Sequence, residues 1–459
     1  MGGQDGFTGG FGGFDRRTFF KGAGLAGATL AVPSLLAACG GDSGAGGAGG
    51  AQKLQFWWNP SVESADQMTA WMNGVIKEFT AANKGTTIES TTQPSEQLAS
   101  NFRTACQSKS GPDLQHEYSG TYTMQFVWEK CIAPLDGTLD AEEMKHVLPP
   151  QALDIYKFKG KTWALPWYNA PIPLMYNKAL FRKAGLDPDK APATMDEMIT
   201  AAAALRKIGV TPWGYGVKNL TGIGNFSGMF NTQNLNDPRE LLPVVLGEQR
   251  YTDPKFSEWL TWTKEMIDAK VFNPDVTSLE YQDAMNMFLA GKCAFAITSS
   301  LTKFQQALGD DLGVMAPPKR GSGSLAGKVH FNSHPLFITA FAEHKEMAAK
   351  FLAYLHRPES LNGMYKATGF FPADDRFDSS TMNSPQDKAL WELQSNQSTI
   401  GYQNFWPSKM DRENSFLAVQ AVFSGTSPTK AAADVEKRLD GWRKASANEL
   451  KNFKDWSGS

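Results

Sequence analysis

Lys161 to Asn177, KTWALPWYNAPIPLMYN, is the stretch on which the fold turns. It holds two short apolar runs, Trp163-Ala-Leu165 and Leu174-Met-Tyr176, each with the aromatic and aliphatic content of a buried strand. Between them lies Pro166-Trp-Tyr-Asn-Ala-Pro-Ile-Pro173. Each proline lacks the ladder N–H, so this segment is not expected inside a central strand. It reads instead as a stiff, extended connector that leaves one sheet and enters another. Trp167, Tyr168 and Asn169 are its flat, polar-tipped groups. An edge loop with two packing aromatics would look the same, and the rest of the chain favours a crossover at the floor of a cleft.

On the N-terminal side, Leu54–Trp58 reads as a strand with Asn59-Pro60-Ser61 as its exit loop. A helix follows, with Met68, Trp71, Met72, Val75, Ile76 and Phe79 at three- and four-residue spacing. Thr86–Thr92 is a second strand. Pro94-Ser95-Glu96 opens a helix through Leu98, Phe102 and Ala105, and Gly111-Pro112 ends it. Asp113–Tyr118 is a third strand. Repeated strand–helix alternation predicts a mostly parallel sheet covered by helices, with ligands beyond the carboxyl ends of the strands. On the C-terminal side a second α/β body begins. Gly185 is a helix C-cap, Thr194 caps the next helix, and Trp213-Gly-Tyr-Gly-Val217 reads as a strand. Helical patterns recur at Trp259–Ile267, Tyr281–Leu289 and Lys345–Leu355. Val314–Pro318 and Gly369–Pro372 are two more proline-bearing breaks, so three connectors join two bodies.

Asp15-Arg-Arg-Thr-Phe-Phe-Lys21 precedes an uncharged apolar run ending at Leu36-Ala-Ala-Cys39. A basic segment plus a short apolar one is an export leader, too short for a membrane span. Residues 1–38 resemble a twin-arginine signal ending in a lipobox, which implies lipidation of Cys39. Gly40–Gly50 is nearly all Gly, Ala and Ser and reads, within 39–51, as a flexible tether. About a dozen such residues reach roughly 20 Å. The rest of the chain is too long for one small core and suits two lobes. A formal net charge of −2 gives no reason to expect nucleic acid. Aromatics at 12%, with 13 Trp, are the unusual part of the composition; surplus Trp often lines binding surfaces, and many of these would equally serve as core. With Cys39 set aside, three cysteines remain, so not all can pair within the chain. Cys106 and Cys131 flank one strand and can bridge; Cys293 sits in the apolar strand Cys293–Ile297 as a buried thiol.

In this order the segments resemble the extracellular solute-binding lipoproteins of bacterial ABC importers, in the sugar- and oligosaccharide-binding branch. Gly111-Pro-Asp113 is similar to that family's turn before a strand. Gly160-Lys-Thr-Trp-Ala-Leu-Pro166, Tyr176-Asn177 and Leu180-Phe-Arg-Lys-Ala-Gly-Leu186 resemble its central run. Pro192-Ala-Thr194 with Glu197, Phe288-Leu-Ala-Gly291, Ala348–Leu352 and Ser424-Gly425 with Pro428 and Ala431 resemble later segments. The resemblance implies two doubly wound α/β lobes joined by three hinge crossovers, with the ligand cleft between them, as in periplasmic-binding proteins. The lobes would comprise 52–167 with 319–371, and 168–318 with 372–459. It further implies a monomer that binds a sugar or oligosaccharide, closes on it by a hinge motion, and delivers it to ABC permease transmembrane subunits. No cofactor or metal is expected. A non-sugar polar solute such as a glycerophosphodiester is the alternative ligand, and an exported glycoside hydrolase the alternative activity.

A sugar offers hydroxyls to planar polar groups and C–H faces to rings. The strand-end loops with that mixture are Trp57-Trp58-Asn59, Glu117-Tyr118, Trp167-Tyr168-Asn169, Asn225-Phe226, Phe230-Asn231, Ser299-Ser300, Asn332-Ser333-His334, Phe370-Phe371 and Asn404-Phe405-Trp406. The family often carries Gly-Gly where this chain has Ser333-His334, so a different pocket wall is expected there. Trp167 and Tyr168 are expected where closure would sandwich a sugar ring, and His334 and Arg412 near the cleft. Gly222-Ile-Gly224-Asn-Phe-Ser-Gly228 falls short of a dinucleotide fingerprint. His330 and His334, four apart on a strand, would lie about 13 Å apart and not share a metal. Nothing in the spacing pairs Glu117, Asp136 and Asp154 for glycoside hydrolysis.

Overall fold

The computed structural model describes residues 52–60, 64–95, 97–219, 222–382 and 384–458. The leader, the tether and Cys39 lie outside them, as does the side chain of Arg412. The strands in chain order are β1 (Gln52–Trp58), β2 (Thr86–Thr92), β3 (Leu114–His116), β4 (Lys157–Phe158), β5 (Lys161–Thr162), β6 (Leu165–Pro171) and β7 (Leu174–Asn177). They continue with β8 (Thr211–Trp213), β9 (Cys293–Ile297), β10 (Leu312–Met315), β11 (Val329–Ile338), β12 (Phe371–Pro372) and β13 (Ser398–Ile400). A seven-stranded sheet has the order β12-β6-β11-β3-β1-β2, with β13 also on β11. A four-stranded sheet has the order β10-β7-β9-β8, and β4 and β5 form a hairpin.

Local chemistry accounts for these elements. In β1, Leu54, Phe56 and Trp58 alternate inward. The helix Ala65–Ala82 buries Met68, Met72, Val75 and Phe79, one stripe of a 3.6-residue period, against this sheet. In the second body, β9 is the uninterrupted apolar run CAFAI, buried at every residue. The helix Met195–Lys207 starts on a capping box in which Thr194 Oγ1 accepts from the Glu197 N–H, and Glu197 accepts from the Thr194 N–H.

The expectation for residues 166–173 is corrected here. They are not wholly a connector: Leu165–Pro171 is a strand between β11 and β12. The ladder accommodates the prolines because Pro166 is paired with Pro335 of β11, and neither offers an N–H. The register then shifts, Tyr168 pairing with His334, so Trp167 is the extra residue of a bulge. The crossing to the second sheet is confined to Ile172-Pro173, between β6 and β7, rather than at 167/168. The chain returns between β10 and β11. It leaves the first sheet again after β13, beyond the expected position at Phe371-Pro372, because β12 and β13 both pair in that sheet. The Trp213–Val217 strand is also shorter than expected and stops at Trp213. At Gly214 a Cβ would meet Cys293 Sγ at 2.5 Å, and at Gly216 the Leu279 carbonyl at 2.5 Å, so the backbone there packs directly on its neighbours. Tyr215 N–H bonds Asn273 Oδ1 instead of a strand.

The helix Pro385–Asn396 touches β10 of one sheet and β11 and β13 of the other. Its N-terminus is tied to the second body: Gln305 Nε2 donates to Ser384 Oγ (2.9 Å) and Asp387 Oδ1 (2.6 Å), and Gln386 Nε2 donates to the Leu312 carbonyl (3.0 Å). Cys106 and Cys131 form a disulfide, with Cα atoms 5.4 Å apart. Cys293 is a free, buried thiol that burial pushes up to about 12.

Candidate functional site

The bulge on β6 decides the geometry of the first sheet's centre. Ordinary alternation would send Trp167 and Tyr168 to opposite faces. The extra residue sets them side by side, ring centroids 5.3 Å apart. Tyr168 stacks on His334 at 4.3 Å with 7° between the planes, and on its other side meets Phe370 at 5.2 Å and 28°. His116, at the end of β3, lies edge to edge beside His334 and not in the stack, 5.4 Å from it and 15° inclined, and 6.4 Å from Tyr168. Trp167 is wholly buried behind this column, stacked on Trp71 at 5.9 Å and edge-on to Trp58 at 6.2 Å. Such contacts add roughly 0.5–1.5 kcal/mol per pair beyond burial.

Hydrogen bonds lock the column to β1. The backbone N–H of Asn59 donates to His116 Nδ1 at 3.3 Å, and His116 Nε2 meets His334 Nδ1 at 3.3 Å. Asn59 Nδ2 donates to the Gln93 carbonyl (2.6 Å), while Asn59 Oδ1 accepts from Ser95 (3.3 Å) and the Tyr118 hydroxyl (3.4 Å). Burial, and secondarily the neighbouring His334, hold His116 well below the usual imidazole range. Burial takes His334 down to about 3. Both rings are therefore neutral near pH 7.

The other face of the same strands is polar and tightly closed. Glu117 is fully buried, and burial raises its carboxyl to about 8. Oε1 accepts from the Tyr118 N–H at 2.9 Å, whereas Oε2 has no partner among the described residues. Asn169, paired with Ser333 across the ladder, donates from Nδ2 to the Leu148 carbonyl at 2.9 Å, and its Oδ1 is likewise unpartnered among the described residues. The Tyr156 hydroxyl is buried beside Ser333 and Glu117 and is pushed upward by burial. A buried polar atom without a partner costs about 1–3 kcal/mol, so this concentration is unlike a passive core.

The structure thus brings together Trp58, Asn59, Glu117, Tyr118, Trp167, Tyr168, Asn169, Ser333 and His334. Asn332 adjoins them, its Oδ1 accepting from Gln403 at 3.2 Å. Other expected residues lie elsewhere. Trp57 points away from Trp58 and is half-buried. Phe226 belongs to the aromatic core of the second body, with Trp213, Tyr215, Phe230, Phe272 and Phe423 within 5.1–6.1 Å. Phe371 packs on Tyr365 and Trp391, and Trp406 on Tyr251 and Tyr402. Asn225 is half-buried on the helix Ile223–Phe230, and Asn231 is buried just beyond it. His330 is separate from the column, under that helix, where a Cβ on Gly228 would lie 2.5 Å from its Nε2. Trp71 was read only as part of a helical stripe, and His116 and Tyr156 were not singled out in the sequence. His116 ends β3 one residue before the Glu117-Tyr118 pair that was read, Trp71 lies within the helix Ala65–Ala82, and Tyr156 precedes a hairpin with no strand-end signal.

A cleft of ≈ 900 Å³ opens between the bodies. Ser64, Gln67, Thr368 and Gly369 line it from one side, and Gln282, Ser300 and Gln305 from the other. Gly369 leads directly into Phe370, the outer ring of the column. Ser299 is half-buried beside Ser300. The carboxylates considered for hydrolysis do not converge: Asp136 accepts from the Thr162 N–H, and Asp154 pairs with Lys157. His146, Asp374 and Asp375 lie close enough to share a cation, yet Asp374 already accepts from Arg376 and His356, and Asp375 from His146.

Comparison with known proteins gives a consistent picture. The profile of a family described as bacterial extracellular solute-binding protein matches residues 63–361. A putative binding protein of Brucella abortus (strain 2308) is 28% identical over 313 residues, 65% of this chain and 72% of its own. The sn-glycerol-3-phosphate-binding periplasmic protein UgpB of Yersinia pestis bv. Antiqua (strain Antiqua) is 26% identical over 285 residues, 58% of this chain and 62% of that protein. Among solved structures, the cyclic alpha-maltosyl-1,6-maltose binding protein from Arthrobacter globiformis superposes with a TM-score of 0.68 at 18% identity. The match covers 86% of this chain and 100% of that one.

Proposed function

Because the chain belongs to the family of bacterial extracellular solute-binding proteins, we propose that it captures a neutral sugar or short oligosaccharide between its two bodies. Closure about the connectors would then present the loaded monomer to the transmembrane subunits of an importer. One observation carries this reading: a column of flat rings, Phe370, Tyr168 and His334, flanked by buried amide and carboxyl groups. Planar polar groups match the hydroxyls of a pyranose, and His334 is the half-buried ring of the column, Tyr168 and Phe370 being buried behind it. The two imidazoles, neutral through burial, add no charge to select an anion. The chain is a binding protein and not an enzyme, in keeping with the family and with carboxylates that do not converge.

A second reading has its own support. Lys303 and Lys366 line the cleft between the bodies, and exposed ammonium groups suit a phosphate. A glycerophosphodiester is therefore the alternative ligand; the Yersinia relative is named for sn-glycerol-3-phosphate, a monoester with the same glycerophosphate group. A thermal-shift screen separates the two. Maltooligosaccharides should raise the melting temperature with little salt dependence. A rise only with sn-glycero-3-phosphocholine, weakening as salt increases, would replace the sugar with the phosphodiester.

Export through Arg16-Arg17 and lipid anchoring at Cys39 complete the proposal, and both rest on sequence outside the described residues. Among the described residues no helix is long and apolar enough to cross a membrane. With Cys39→Ser the protein should leave the membrane fraction; unchanged fractionation would refute the anchor.

A further inference from the structure

His116 and His334 form a directional pair whose protons can be placed from geometry. A backbone N–H is only ever a donor. The Asn59 N–H points at His116 Nδ1 at 3.3 Å, so that nitrogen carries a lone pair. A neutral imidazole has one N–H, which must then sit on His116 Nε2. Nε2 faces His334 Nδ1 at 3.3 Å, and one of the two must accept. It is His334 Nδ1, which leaves the proton of His334 on its Nε2. His116 is wholly buried, whereas His334 is half-buried, so the chain of donors runs outward from β1. Tyr168, parallel to His334 within 7°, fixes the plane in which the outer N–H points.

We propose that His116 is a positioning residue that fixes His334 as an Nε2–H donor, so that the ligand meets this point with an acceptor oxygen. The proposal deepens the binding reading above and rests on it for the identity of the ligand. It gives a reason for His at a position where alternation alone would accept any flat side chain. A ring that donates and cannot accept favours a hydroxyl or ether oxygen over an N–H of a ligand. Sugar hydroxyls and phosphate oxygens both satisfy it, so the probes must include each.

The test uses the full chain from residue 39, with ¹⁵N-labelled histidine. Long-range ¹H–¹⁵N correlation distinguishes a protonated from an unprotonated ring nitrogen. Spectra of His116→Gln and His334→Gln assign the two rings. Without ligand, both rings should show Nε2–H and bare Nδ1 from pH 6 to 8. A proton on His334 Nδ1, a tautomer mixture or an imidazolium would overturn the proposal. Calorimetry with maltotriose and with sn-glycero-3-phosphocholine then reads its consequence. His116→Leu, which frees the His334 tautomer, should weaken whichever probe binds by about tenfold. His116→Gln, which keeps a donor near the Nε2 position, should recover most of that loss. Equal loss in both variants would reduce His116 to packing and overturn its positioning role. Binding of neither probe to the wild type would break the functional reading instead, while the nitrogen shifts decide the proton placement in either case.

Discussion

The two sheets differ in what fills their centres. The second is closed by apolar matter: Trp213, Tyr215, Phe226, Phe272 and Phe423 interlock, and β9 is apolar throughout. The first carries the buried imidazoles of His116 and His330, the half-buried His334, a buried carboxyl and, among the described residues, side-chain polar atoms without protein partners. Close packing of rings needs no further partner. Buried imidazole and carboxyl groups destabilise unless something compensates them. The comparison teaches that aromatic richness alone does not mark a site in this chain. Aromatics beside titratable groups do.

The largest effect that tests this contrast is truncation of a ring on each side. Phe226→Ala and Trp167→Ala should each cost about 3–5 kcal/mol of stability, since both are wholly buried. Phe226→Ala should leave affinity per folded molecule unchanged, whereas Trp167→Ala should also weaken binding by releasing Tyr168 and Trp58. Denaturant unfolding together with calorimetry reads both, and a Trp167→Ala protein of normal stability would place that ring in the cleft and not behind it.

An intermediate effect concerns sulfur. Cys106–Cys131 closes a loop spanning 25 positions in the first body, so Cys106→Ser with Cys131→Ser should lose about 2–4 kcal/mol. Cys293 in the second body, buried with its thiol raised to about 12, should resist thiol reagents in the folded protein and react only on unfolding. Rapid labelling of native Cys293 would contradict the closed second core.

The smallest effect is in the pH profile, and the groups of the first sheet act in opposite directions. Glu117, raised from 4.5 to about 8, binds its proton more tightly when folded. Its contribution is therefore full at acid pH and is lost as pH rises towards 8. Glu117→Gln should remove that alkaline decline, on the order of 1–3 kcal/mol. His330 and His334, lowered from 6.5 to about 3 by burial, contribute above 6.5 and lose that contribution as pH falls towards 3. Melting temperatures of the wild type and Glu117→Gln from pH 4 to 9 check both limbs; superimposable curves above pH 6 would mean that Glu117 is not held protonated.

Much of this was legible because periodicity is a local property. Thr86–Thr92, Tyr281–Leu289 and Lys345–Leu355 stand as elements at the bounds their patterns suggest. Asn59 and Tyr118 follow strand ends, whereas Tyr168 and His334, read as loop residues, lie inside the antiparallel strands β6 and β11. What was not legible depends on pairing across the chain. Pro166 is tolerated only because Pro335 lies opposite, 169 positions away by residue number, and no local rule connects the two. The bulge hides Trp167 behind the column it was expected to lead. His116 sits in a strand buried on both faces, where alternation gives no cue. Trp213–Val217 has the composition of a strand, and the close approach of Cys293 to Gly214 and of the Leu279 carbonyl to Gly216 is visible only in the folded chain.

Pro166 facing Pro335 also has a mechanical meaning. Two opposed residues without amide hydrogens make a missing rung in the middle of an otherwise bonded ladder. A bend between β6 and β11 at that point strains torsion angles and breaks no N–H bond of the proline pair, while the Pro335 carbonyl stays tied to the Glu117 N–H on the β3 side. The stiffness of β6 and β11 is thus interrupted one residue from the bulge that carries Trp167, and the sheet has a soft spot where its rings are most crowded. Flexing there leaves the neighbouring amides protected, so it would register as a change of distance across the molecule and not as faster exchange with solvent.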